Sequence, residues 1–164
     1  MKTPDGYAEV IERFGDISKY IRNDGTLSPR WEAERIVRVT LPAPLRYHVG
    51  GGEYAKVTRI TSHRLVSVPL IRVLSDIHAA GLWGEIDPYG GGFIFRKIRG
   101  SSSKVSLHSF GIAWDFRPDK NAQGTDGTMH PQVVKLFEAQ GFFWGGNFKG
   151  ARKDSMHFQA AINC

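Results

Sequence analysis

Apolar residues recur at helical spacing in three places. Tyr7, Val10, Ile11 and Phe14 form one such stripe, with Pro4 near its first turn and Gly15 just past its end, and predict an amphipathic helix. Leu65, Val68, Ile71, Val73, Leu74 and Ile77 form a broader stripe that starts at Ser67 and Pro69, stops at Gly81 and predicts a core helix. Residues 131–140 predict a third, shorter helix capped by Gly141, its apolar side made of Val133, Val134, Phe137 and Ala139. Extended segments lie between. Residues 35–41 alternate in part and suit a strand closed off by Pro42 and Pro44. A flexible connection at Gly50, Gly51 and Gly52 leads to a second extended segment over 54–61. Residues 93–96 read as a strand with Phe93 and Phe95 on one face and Ile94 and Arg96 on the other, and 142–148 as an aromatic strand and turn. Asp24-Gly25 and Ser28-Pro29 mark turns, 100–104 a loop, and 117–130 a long surface loop rich in Pro, Asp, Asn and Gly.

The densest chemistry sits at 106–115, Ser-Leu-His-Ser-Phe-Gly-Ile-Ala-Trp-Asp, and in a shorter run at 154–158, Asp-Ser-Met-His-Phe. His108 and Asp115 would share a face of an unbroken helix, but Gly111 between them and the β-branched and aromatic residues after it argue against one. The alternative is an extended segment ending at His108, a turn through 109–111 and a strand over 112–116. On that strand Ala113 and Asp115 face one way and Ile112, Trp114 and Phe116 the other, so a small neighbour leaves room beside the carboxylate. His108, Asp115 and His157 supply nitrogen, oxygen and nitrogen, the ligand number of a catalytic zinc that keeps a fourth position open. Asp154 is then free to take a proton from a water that zinc has acidified. A flat strand over 154–158 would point Asp154 and His157 in opposite directions, so this arrangement requires a bend just before His157. Taken alone, two histidines and an aspartate in a basic chain are more often surface or core-satisfied groups than ligands.

The spacing Ser106-x-His108-x-x-Gly111-x-Ala113-x-Asp115, followed by Asp154-x-x-His157-Phe158, resembles the signature of the D-alanyl-D-alanine carboxypeptidase and L-alanyl-D-glutamate endopeptidase family of zinc peptidases. That resemblance covers about residues 63–160 and implies an α+β fold: a small, mainly antiparallel sheet with helices on one face and one zinc per chain in an open cleft. It implies His108, Asp115 and His157 as zinc ligands, Asp154 as general base and Ser106 as a hydrogen-bonding support. The family places an arginine on a strand upstream of the first zinc histidine. Arg96 and Arg99 both stand there, and Arg96 is the expected anchor for a substrate carboxylate or the oxyanion. Where relatives carry Trp-Gly-Gly-x-Trp, this chain has Phe148 in place of the second tryptophan, a departure that touches substrate fit rather than the metal. The implied activity is hydrolysis of L-Ala–D-Glu or D-Ala–D-Ala bonds in peptidoglycan stem peptides. A catalytically silent zinc- or wall-binding protein of the same fold is the alternative.

Length and composition bound the rest. The 164 residues suit one catalytic domain, with 1–62 an N-terminal elaboration and 63–160 the peptidase core. The +6 charge favours anionic wall polymers, but no nucleic-acid-binding motif accompanies it. One cysteine, Cys164, excludes an internal disulfide and a cysteine-rich zinc site. No leader-like opening and no apolar run of membrane-spanning length stand in the sequence. The expectation is therefore a monomer made in the bacterial cytoplasm without a signal peptide, released to the wall as phage or prophage lysins are. His48, His63, His78 and His130 are expected to be structural or surface residues.

Overall fold

The computed structural model describes residues 2–98 and 104–164; Arg99, and the expected loop at 100–104 apart from Lys104, lie outside them. Four helices and a six-stranded mixed sheet give an α+β architecture. Helix α1 is Gly6–Phe14, α2 Pro29–Arg35, α3 Ser67–Ala79 and α4 Pro131–Ala139. The strands are β1 Ile36–Gly50, β2 Glu53–His63, β3 Tyr89–Gly91, β4 Ala113–Phe116, β5 Phe143–Trp144 and β6 His157–Gln159, in the order β2-β1-β3-β4-β6-β5. Every neighbouring pair is antiparallel except β1 with β3, which touch in parallel at Tyr47 and Tyr89.

Several local readings change. Pro42 and Pro44 do not end β1. Its register against β2 jumps between Thr40 and Leu45, and this bulge absorbs two residues that have no N–H to give the ladder. The glycines at 50–52 are a tight hairpin turn rather than a loose connection: Gly50 pairs with Glu53, and Gly51 and Gly52 both take positive φ, as a two-residue hairpin demands. Ser28-Pro29 starts a helix. The Ser28 hydroxyl accepts the Arg30 N–H and Pro29 occupies the first turn, delivering Trp31 fully into the core. In α3 the buried residues are Leu70, Val73, Leu74 and Ile77, whereas Leu65, Val68 and Ile71 stay exposed; the predicted stripe had merged two faces. In α4, Leu136 rather than Ala139 joins the core-facing side. Residues 93–96 form no ladder strand: the strand is β3, just upstream, and the segment instead bonds irregularly to the His108 turn, the Ile94 N–H donating to the His108 carbonyl and the Ser106 N–H to the Arg96 carbonyl; Phe93 and Phe95 still turn toward the core, with Ile94 and Arg96 outward.

The core runs beneath the sheet up to Leu45 on β1, and the far end of the β1–β2 hairpin extends past it. Phe116, Phe137 and Phe158 meet at its centre, the last two stacked with centroids 4.0 Å apart. Trp114 lies edge-on to Phe142, and its indole donates to the Thr61 carbonyl, tying β4 to β2. Helix α3 packs on β1 and against α4, which in turn packs on β5. The short central strands β4 and β6 are therefore held from both sides, and they carry the functional groups.

Candidate metal centre

His108 sits on a single 3₁₀ turn, Leu107–Phe110, whose first N–H groups need a cap; Ser106 supplies it, its hydroxyl accepting the His108 N–H at 3.4 Å. Gly111 ends the turn at φ +70°, where a Cβ would also collide with Ile36 at 2.6 Å, so only glycine both reverses the chain and fits. Four residues on, Asp115 lies on β4 directly across the antiparallel ladder from His157 on β6, and cross-strand partners share a face. Ala113 pairs with Gln159 one step further, keeping that face open beside the carboxylate. The bend required before His157 is present: the His157 N–H donates to the Asp154 carbonyl, and the Trp144 indole holds the turn by donating to the Ser155 carbonyl. Gly145 lies so close below that a Cβ there would stand 2.5 Å from the Asp154 carbonyl oxygen.

One ligand atom from each of His108, Asp115 and His157 lies within 4.8 Å of the others. The outer hydrogen bonds fix which nitrogens face inward. His108 Nδ1 must donate to the Gly92 carbonyl at 2.8 Å, since a carbonyl only accepts, leaving Nε2 as a bare lone pair. The Gln159 amide donates to the Ala161 carbonyl, so its oxygen faces His157 Nε2 and receives that N–H, leaving His157 Nδ1 bare. That lone pair points at Asp115 Oδ1, 2.9 Å away. His108 Nε2 is buried, lies 3.4 Å from Asp115 Oδ2 outside hydrogen-bonding geometry, and has no hydrogen-bond partner among the described residues. Two lone pairs aimed at one carboxylate repel unless a cation stands among them, and the donor set suits zinc. The residues fit the metal.

Without the metal, a proton on His157 answers the same carboxylate. Burial would raise the Asp115 carboxyl, but the His108 and His157 imidazoles override it and hold the group well below the usual carboxylate range. Burial also opposes protonation of His157, and the neighbouring Asp115 carboxylate reverses that, raising it. Asp154 behaves differently. Burial, with the Asp115 charge adding to it and the histidines opposing, lifts its carboxyl to about 6, and its buried Oδ1 has no hydrogen-bond partner among the described residues. A carboxylate poised there and unbonded suits proton transfer.

Asp154 and Asp115 line a cleft of about 590 Å³ together with Arg96, Ser106, Phe148 and Arg152. The Arg96 guanidinium is close enough for its charge to act on Asp154. Phe148 lies tilted over the His157 ring at 6.2 Å. The remaining histidines stand apart from the cluster. His63 is fully buried and bonded through both nitrogens, His130 caps α4, and His48 and His78 lie edge-on to Tyr54 and Trp83. Sequence reasoning missed Gln159, although its place two residues after His157 on a strand puts both on one face. It also missed the Gly92 carbonyl, which no side-chain pattern announces, and Arg152.

Residues 99–160, less than half of the chain, match the family model described as D-alanyl-D-alanine carboxypeptidase, a family of zinc peptidases. The matched segment contains Ser106, His108, Asp115, Asp154, His157 and Gln159, and leaves out Arg96 and the β1–β2 hairpin. No curated protein matches the chain. Among the described residues no helix is long and apolar enough to cross a membrane.

Proposed function

We propose, on the premise that residues 99–160 carry the zinc-peptidase segment of the D-alanyl-D-alanine carboxypeptidase family, that the chain hydrolyses peptidoglycan stem peptides at an L-Ala–D-Glu or D-Ala–D-Ala bond. His108 Nε2, Asp115 and His157 Nδ1 would hold one zinc, which supplies Lewis acidity toward the scissile carbonyl and toward water. Asp154 takes the proton of the attacking water and returns it to the leaving amine. Its raised carboxyl suits both halves of that exchange near neutral pH. Arg96 receives a substrate carboxylate or the developing oxyanion at the cleft wall. Ser106 and Gln159 act through the histidines they orient.

The observation that carries this reading is a buried, unpartnered His108 Nε2 grouped with Asp115 and His157, beside a cleft that Asp115 lines together with Asp154 and its unbonded, buried Oδ1. A purely structural zinc needs no free base beside it, which disfavours the silent binding protein. The same reading makes the bacterial wall the place of work, as for a phage or prophage lysin acting as a monomer, and the +6 charge favours approach to anionic wall polymer.

The test is a digest of purified peptidoglycan by the zinc-loaded wild type and by Asp154→Ala, read by mass spectrometry of the released fragments. New amino termini from the wild type alone establish the peptidase and name its bond. Loss of a positioned general base costs about 10²–10⁴-fold in rate. A variant that cuts as fast as wild type removes Asp154 from the mechanism. A zinc-bound wild type that cuts nothing favours the binding protein.

A further inference from the structure

The β1–β2 hairpin is longer than the core it covers. On its inward face Leu45 is 1% exposed, but Tyr47 and Val49, the next residues on that face, are 38% and 55% exposed. Large apolar groups facing inward past the end of a core have lost their packing partners, and what they overhang is informative. Tyr47 overhangs a second cavity, of about 190 Å³, that it lines with the Gly90–Gly92 run, Phe93, and His108 and Asp115 themselves. Its ring is braced against Tyr89 at 6.2 Å, and Tyr89 pairs with it across the sheet.

Two of the three glycines on the floor of this cavity, Gly90 and Gly92, are bare for steric reasons. A Cβ on Gly90 would press Asp115 at 3.1 Å, and one on Gly92 would overlap the Tyr89 hydroxyl at 2.4 Å. The Gly92 carbonyl is also the acceptor that orients His108, so floor and ligand are one unit. At 190 Å³ the cavity is below the range of about 300 Å³ and upward that takes drug-sized ligands. Apart from the metal cluster and Arg96 its lining is uncharged. The larger cleft, which shares Asp115 and Arg96 with it, adds Asp154 and a second guanidinium, Arg152. The two cavities share Asp115 and Arg96 and differ in size and charge: the smaller adds only glycine, aromatic and aliphatic groups and His108, the larger adds a second guanidinium and the Asp154 carboxylate.

We propose that Tyr47 and the Gly90–Gly92 floor form the subsite for the residue preceding the scissile bond, sized for a small uncharged side chain, and that the arginine basin receives a carboxylate-bearing residue following it. The assignment builds on the hydrolytic reading above. It gives the substrate a direction across the metal cluster and makes the hairpin, which lies outside the segment matching the family, a determinant of specificity.

Two series of synthetic stem peptides test it, one L-Xaa–D-Glu and one D-Xaa–D-Ala, with Xaa alanine or leucine, assayed beside purified peptidoglycan. Wild type is expected to prefer alanine, and Tyr47→Ala to reduce that preference about tenfold in kcat/KM by admitting leucine, the scale of a few methylenes in a confined pocket. Tyr47→Trp narrows the slot and should raise KM even for alanine, whereas Tyr47→Phe keeps the wild-type ratio. Zinc content of each variant reports its fold. A wild type that cleaves, with an alanine-to-leucine ratio indifferent to all three substitutions, overturns the subsite and leaves the peptidase standing. A zinc-loaded wild type that cleaves neither the peptides nor peptidoglycan overturns both.

Discussion

Two buried histidines, His63 and His157, receive opposite treatment from the chain around them. His63 is wrapped by Phe14 and Trp31; its Nδ1 accepts the Leu65 N–H and its Nε2 donates to the Phe14 carbonyl, both at 3.2 Å. Both nitrogens are committed to backbone, and burial lowers the imidazole to about 4. His157 is buried too, but its partners are side chains: Nε2 meets the Gln159 oxygen, and Nδ1 faces the Asp115 carboxylate, which raises it against burial. Burial alone therefore does not mark a ligand. A buried nitrogen without a partner, His108 Nε2, grouped with a second imidazole and a carboxylate, makes a better mark.

The sharpest way to break the comparison is to remove the ligands. His108→Ala or His157→Ala is expected to abolish both zinc binding and hydrolysis, while Asp154→Ala keeps the zinc. Metal analysis of the purified variants decides it: a full equivalent of zinc in either histidine variant would remove that residue from the site. The same substitution at His63 should leave zinc stoichiometry untouched wherever the protein stays folded.

What the sequence makes legible follows from where each feature is encoded. The cluster of His108, Asp115 and His157 could be read because motif spacing and strand alternation are local; Ala113 and Asp115 share a face by period alone. The α3 stripe could not be divided into buried and exposed halves, because Leu65, Val68 and Ile71 are as apolar as the residues that face the core, and only the position of β1 and α4 decides between them. The run of β1 through Pro42 and Pro44 depends on a bulge, whose register is a property of two strands rather than one. The ligand tautomers were illegible for the same reason: the Gly92 carbonyl that orients His108 comes from sixteen residues upstream and has no side chain to betray it.

His63 sharpens the comparison through pH. Its folded value, about 4, lies below the ordinary 6.5, so the unfolded chain binds the proton more readily. The stabilising contribution is complete above pH 6.5 and is lost as pH falls toward 4 and below. The shift corresponds to about 3 kcal/mol between those limits at most. His63→Asn, which keeps an acceptor for the Leu65 N–H but does not titrate, should be less stable than wild type at pH 7 and should close much of that gap by pH 4. Denaturant titrations at the two pH values, on metal-free protein, measure the difference. Parallel loss in both proteins would show that His63 is not held neutral by its pocket.

The smallest expected effect tests the other half of the contrast, the claim that Gln159 decides which nitrogen of His157 is bare. Gln159 is 3% exposed, and its amide is fixed by the Ala161 carbonyl, so its oxygen cannot rotate away from His157 Nε2. Gln159→Leu preserves most of the volume and removes the acceptor, leaving the His157 N–H buried and unbonded and the ring free to choose its tautomer. Outer hydrogen bonds to metal-ligating histidines contribute about 10–100-fold in metal affinity, and because the ladder pairing of His157 with Asp115 survives, the lower end, about tenfold weaker zinc binding, is expected here. Competition titration against a chelator of known affinity reads it directly. Unchanged affinity would mean that the sheet alone orients His157 and that the glutamine merely fills space, which would make the two buried histidines more alike than their hydrogen bonds imply.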